Sequence, residues 1–119
     1  MIKFRSLKKS EDFIKVLKKK KLNSKYFTIY FKKNANNFEN NKSLNISFVM
    51  KKKIGNSVLR NKVKRKLKSA VQKIVKGNKL IDLNYTYIIF GKNNVYKDKF
   101  TFVLNETNNV FKKIKQING

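Results

Sequence analysis

The stretch Lys52-Lys53-Ile54-Gly55-Asn56-Ser57-Val58-Leu59-Arg60-Asn61-Lys62-Val63-Lys64-Arg65-Lys66-Leu67-Lys68 joins a tight Gly-Asn turn to cations at helical spacing. Arg60, Asn61, Lys62, Lys64, Arg65 and Lys68, with Lys52 and Lys53 ahead of the turn, make a fixed array of donors, and its chemistry suits phosphate oxygens. The chain has 31 basic residues, of which only Arg5, Arg60 and Arg65 are Arg, so two of its three guanidinium groups fall here. An Arg fork grips a phosphate through two parallel bonds, whereas Lys is a mobile point charge. A Lys-rich helix face is ordinarily just solvated. The clustering of Arg and the charge of the whole chain argue for a bound polyanion instead.

That charge is +25 over 119 residues, with six acidic side chains against 31 basic ones. Self-repulsion on this scale destabilises a compact fold until a polyanion neutralises it, and nucleic acid is the natural partner. A membrane is not: no strictly apolar run exceeds three residues, as at Ile88 to Phe90, where a span needs about 20. The basic start of the chain leads into no apolar signal region, so a cytoplasmic location is expected.

The same inventory bounds the chemistry. There is no Cys and no His, and the acids Glu11, Asp12, Glu39, Asp82, Asp98 and Glu106 are scattered. Only Glu11 and Asp12 adjoin, and negative charge in a helix's first turn is role enough for them. No catalytic residue and no metal site are therefore expected in the chain itself. Gly55 stands outside the GxxxxGK[ST] and GxGxxG spacings, which leaves ATP-driven chemistry and a small-molecule substrate without support.

The elements that must position the cations can be read in outline. Ser10 suits an N-cap, followed by a short helix with Phe13, Val16 and Leu17 on one face before the basic run Lys18 to Lys21. Residues 26–31, Tyr-Phe-Thr-Ile-Tyr-Phe, predict a strand with Phe27, Ile29 and Phe31 on one face and Tyr26, Thr28 and Tyr30 on the other. Asn34 to Lys42 reads as a polar loop. An extended segment from Leu44 to Met50 continues or bends into another short strand through Lys53. A helix from Ser57 to Val75 sets Leu59, Val63, Leu67, Ala70, Val71 and Ile74 on one stripe, with Asn61, Arg65, Lys68 and Gln72 opposite and Gly77 as its C-terminal cap. Tyr85 to Phe90 predicts a strand. Asp98 is placed to cap a last helix whose apolar series runs Phe100, Val103, Leu104, Thr107, Val110, Phe111, Ile114 and Ile117. With no repeat and no Gly/Ser linker, residues 1–119 are expected to form one α+β sandwich in the order α-β-β(-β)-α-β-α. Phe27, Phe31, Phe100 and Phe111 are expected in its core. Tyr26 and Tyr30 instead face the first helix and offer a platform for unpaired bases, with core packing the equal alternative for Tyr30.

The order of these pieces resembles the bacterial ribonuclease P protein family. Residues 52–65 are similar to its signature, Leu7-Lys8-Lys9-Ser10-Glu11-Asp12-Phe13 to its N-terminal pattern, and Phe27-Thr28-Ile29-Tyr30 to its first strand. The likeness runs over roughly residues 5–117. It implies a left-handed strand-helix-strand crossover, against the usual right-handed rule. It implies also that the protein binds a large catalytic RNA, and that the ribonucleoprotein removes the 5′ leader of precursor tRNA endonucleolytically. The Mg²⁺ ions of that reaction would sit on the RNA. By the same resemblance Lys52, Lys53, Arg60, Asn61, Lys62, Lys64, Arg65 and Lys68 would contact the catalytic RNA, and Phe13, Leu17, Thr28, Tyr30 and Lys92 would line a cleft for the single-stranded leader. Two positions depart from the family pattern: Lys62 stands where Arg is usual, and Leu17 where a second cleft aromatic is common. The alternative from composition alone is a non-catalytic basic RNA-binding protein such as a ribosomal protein.

Overall fold

The alternation Phe27-Thr28-Ile29-Tyr30-Phe31 is realised as strand β3 (Phe27–Lys33), with Phe27, Ile29 and Phe31 buried and Thr28 and Tyr30 half-buried on the other face. The computed structural model describes residues 2–34, 43–77 and 80–118. Around β3 stand β1 (Lys3–Arg5), α1 (Ser10–Leu17), β2 (Lys20–Asn23), β4 (Ser43–Val49), a 3-10 turn (Lys52–Ile54), α2 (Ser57–Gly77), β5 (Tyr85–Gly91), α3 (Asn94–Lys97) and α4 (Phe100–Asn118).

The five strands form one sheet in the order β1-β4-β5-β3-β2. β1, β4 and β5 run parallel, and β3 is antiparallel to both β5 and β2. β4 and β5 are parallel neighbours joined through α2, so β4-α2-β5 is the crossover unit. Register assigns the faces. Leu44, Ile46, Tyr87, Ile89, Phe27, Ile29 and Phe31 point to one side, where they form the main core with Val63, Leu67, Ala70, Val71 and Ile74 of α2 and Val103, Val110, Phe111 and Ile114 of α4. Each fully buried Val, Leu, Ile or Phe among them contributes about 1.5–3 kcal/mol. The opposite face carries Ile88, Phe90, Thr28 and Tyr30, and α1 packs across β3 and β5 there, turning Val16 inward.

Entry into α2 depends on two residues. Asn56 Oδ1 accepts the Leu59 N–H at 2.9 Å, which satisfies one of the unpaired donors at the helix start. Gly55 has φ +147°, and a Cβ on it would stand 2.6 Å from Leu59 Cδ2; only glycine fits this turn.

Several expectations are corrected. The short first helix ends at Leu17 before the basic run, as expected, but the run is not merely connecting chain: Lys20 and Lys21 open the edge strand β2, paired with Phe31 and Tyr30. β1 and α3 have no counterpart among the expected elements, and the extended segment does not run on through Lys53, because the chain tightens into the 3-10 turn at Lys52. Lys9, not Ser10, occupies the N-cap of α1, with no side-chain cap bond. Ile117 is 50% exposed, so the buried stripe of α4 ends at Ile114. The expected loop lies, apart from Asn34, outside the described residues.

Candidate nucleic-acid interface

Burying the Leu67 stripe of α2 turns the opposite side of the helix outward, and Asn61, Lys62, Lys64, Arg65 and Lys68 are all exposed there. Lys52 and Lys53, in the 3-10 turn, are exposed just ahead of it. Arg60, Lys64 and Lys68 follow one another at i, i+4 and i+8 along a single ridge. Arg60 is half-buried, and its buried Nε has no hydrogen-bond acceptor among the described residues. The other flank of the helix is used internally: Lys66 Nζ donates to the Asp98 carbonyl, and Lys62 Nζ lies 5.6 Å from the Tyr96 ring centroid. Among the described residues the one ion pair is Lys25 with Asp98, at 3.7 Å. No carboxylate among them therefore pairs with the cations of α2.

On the other side of the sheet the half-buried Phe13 and Tyr30 both meet Phe90 edge-on, at centroid distances of 6.4 and 5.6 Å. The sequence does not single out Phe90, yet it is the ring the others share. Lys51 Nζ stands 5.3 Å from its centroid, and Lys21 Nζ 5.9 Å from that of Tyr30. Aromatic faces flanked by ammonium groups can stack a base while holding its phosphate. Leu17, at the last turn of α1, is half-buried and outside the main core.

Thr28 and Lys92 meet through a residue the sequence does not mark. Asn23 Oδ1 accepts from Thr28 Oγ1 at 2.6 Å and from Lys92 Nζ at 3.0 Å. Lys92 Nζ also donates to the Ser24 carbonyl at 2.5 Å, and its backbone N–H to that of Tyr26 at 2.9 Å. The end of β5 is thereby fastened to the β2–β3 turn. An open groove of about 450 Å³ is lined by Thr28, Phe90 and Lys92 together with Lys51, Lys53 and Ile54. It joins the aromatic cleft to the residues that lead into α2.

Tyr26 is not part of any platform. It is 2% exposed, and its hydroxyl donates to Asp98 Oδ2 at 2.5 Å. That bond first, and burial second, push its pKa up to about 12. Asp98 is thus engaged by Tyr26 and Lys25; it is the C-cap of α3, two residues ahead of α4, and not the expected cap of the last helix. Tyr87 is likewise raised, mainly by burial. Among the described residues no group of three or more His, Cys, Asp or Glu is gathered to hold a metal, and no helix is long and apolar enough to cross a membrane.

A mixed sheet with two long helices on one face and a short one on the other, bearing a cationic helix beside an aromatic cleft, defines an α+β protein built for a polyanion. The family model for ribonuclease P matches residues 1–115. The ribonuclease P protein component of Alkaliphilus oremlandii is 31% identical over 114 residues, covering 95% of this chain and 93% of that protein. Its counterpart in Mycoplasma mycoides is 30% identical over 112 residues, covering 93% and 96%. Among solved structures, the RNase P protein of Thermotoga maritima superposes with a TM-score of 0.73 at 21% identity, over 92% of this chain and 96% of that one. The Staphylococcus aureus RNase P protein gives 0.68 at 25% identity, over 92% and 94%. The chain belongs to the ribonuclease P protein family, the protein subunit of the ribonucleoprotein enzyme that processes tRNA. The ribosomal-protein alternative has no such support.

Proposed function

We propose that the exposed face of α2, with Lys52, Lys53, Arg60, Asn61, Lys62, Lys64, Arg65 and Lys68, seats the catalytic RNA, and that the cleft between α1 and the sheet holds the 5′ leader of precursor tRNA. Phe13, Tyr30 and Phe90 supply the rings on which leader bases rest; Leu17, Thr28 and Lys92 complete the walls. The observation that carries this reading is the single groove that Thr28 and Phe90 share with Lys51 and Lys53. A single strand lying in it passes from the stacking surface to the start of the cationic helix without leaving the protein. The lack of carboxylate partners along α2 among the described residues supports the same reading.

In this scheme the protein binds and orients, while Mg²⁺ held by the RNA activates the attacking water and stabilises the leaving oxygen. The work takes place in the cytoplasm, in keeping with a chain that has no Cys. Incubation of rigorously RNA-free protein with precursor tRNA and Mg²⁺ should give no cleavage, and addition of the RNA subunit should restore it. Specific 5′ cleavage by the protein alone would overturn the assignment of the chemistry to the RNA.

A further inference from the structure

We infer that Asn23 reads one base of the leader. The inference rests on the cleft reading above and extends it to a residue outside the resemblance. Asn23 stands in a single row across four strands, in register with Thr28, which pairs with Phe90, which pairs with Val49. It therefore shares the face of the sheet that carries the rings. The orientation of its carboxamide is fixed by chemistry. The Lys92 ammonium 3.0 Å away can only donate, so the atom facing it is the oxygen and not the nitrogen. Thr28 Oγ1 donates to the same oxygen at 2.6 Å. With Oδ1 held from two sides, Nδ2 is turned away from both. It meets no acceptor among the described residues, on a side chain that is exposed.

Asn23 thus offers two N–H donors, locked in direction, beside a surface on which a base lies flat. Unpaired bases present carbonyl oxygens and ring nitrogens along their edges, and proteins that bind single strands identify bases by stacking on the face and bonding to that edge. A neutral amide displaces no counterions, so it suits an edge rather than a phosphate. Lys92 and Thr28 act here as positioning residues: each spends a donor on holding the amide.

The test uses the reconstituted holoenzyme and precursor tRNAs whose leader is varied one nucleotide at a time. The wild-type enzyme should prefer a base with a suitable acceptor at one leader position, and Asn23→Ala should lower that preference by about two- to tenfold with the salt dependence unchanged. Asn23→Asp keeps the oxygen that Thr28 and Lys92 require but has no N–H, so the preference should be lost there too. A preference that survives in Asn23→Asp, a loss in Asn23→Ala that is equal for every leader, or no base preference in the wild-type enzyme would each overturn the inference. Tyr30→Ala separates it from the reading beneath. If that change leaves the precursor-to-mature affinity ratio untouched, the cleft itself is misassigned; if the ratio falls while Asn23 variants keep the preference, only the role of Asn23 is wrong.

Discussion

At the scale of single residues, the cleft is held in shape by bonds behind it. Tyr26 and Asp98 bring the β2–β3 turn against the start of α4, reinforced by the Lys25 N–H donating to Glu106 Oε2 at 3.2 Å and by Asn94 Nδ2 donating to the Lys25 carbonyl at 2.7 Å. Loss of the phenol in Tyr26→Phe should cost about 1.5–3 kcal/mol at neutral pH, the usual worth of a bond to a charged acceptor. Because the folded pKa lies above the ordinary 10.0, at about 12, the folded state holds this proton more tightly than the unfolded chain. The contribution is complete below pH 10 and lost as pH rises toward 12. Urea unfolding of both proteins at pH 7, 9 and 11 should therefore show a constant gap at the first two and a smaller one at the last. A gap that is the same at pH 11 would mean that the Tyr26 proton is not held as described.

At the scale of elements, the proposed function puts the catalytic RNA on α2, and the first turn of that helix is the sensitive point. Gly55→Ala forces a side chain into a backbone region that only glycine adopts readily, at a cost of about 1–3 kcal/mol, and it drives a methyl into Leu59. A destabilisation under about 0.5 kcal/mol by denaturant titration would contradict the geometry of this turn. Along the exposed ridge, Arg60→Ala and Arg65→Ala should each flatten the slope of log K against log salt for binding the RNA subunit by roughly 0.7–0.9. The same change at Lys112, exposed on α4, should not. Equal slopes throughout would mean that neither Arg anchors a phosphate.

The elements also differ in how plainly the sequence announces them. α2 is legible because Leu59, Val63, Leu67, Ala70, Val71 and Ile74 repeat at the helical period and the Arg residues fall between them. β2 is hidden: Lys18 to Lys21 shows no alternation, and the strand exists only because β3 offers it a free edge. The three residues of β1 depend in the same way on β4. Phe90 is hard to single out because a central strand is apolar on both faces, so Tyr87-Ile88-Ile89-Phe90 gives no sign of which side chains meet α1. Asn23 acquires its place only when Thr28 and Lys92 arrive from elsewhere in the chain.

At the scale of the whole molecule, +25 charges surround one sheet, and the described residues pair only Lys25 with a carboxylate. Such a surface draws any RNA toward it, so charge alone does not say where a particular strand lies. What distinguishes the two sides of the protein is geometry: a convex cationic helix on one, suited to a folded RNA, and a ring-lined groove on the other, suited to an unpaired strand. Photocrosslinking of precursor tRNA, with a photoreactive nucleotide at successive leader positions in the reconstituted holoenzyme, tests this division directly. Leader adducts should fall on the α1–β3–β5 cleft, at or beside Phe13, Thr28, Tyr30 and Phe90. Adducts confined to the outer face of α4, around Phe102 and Lys112, or to α2 alone would contradict it.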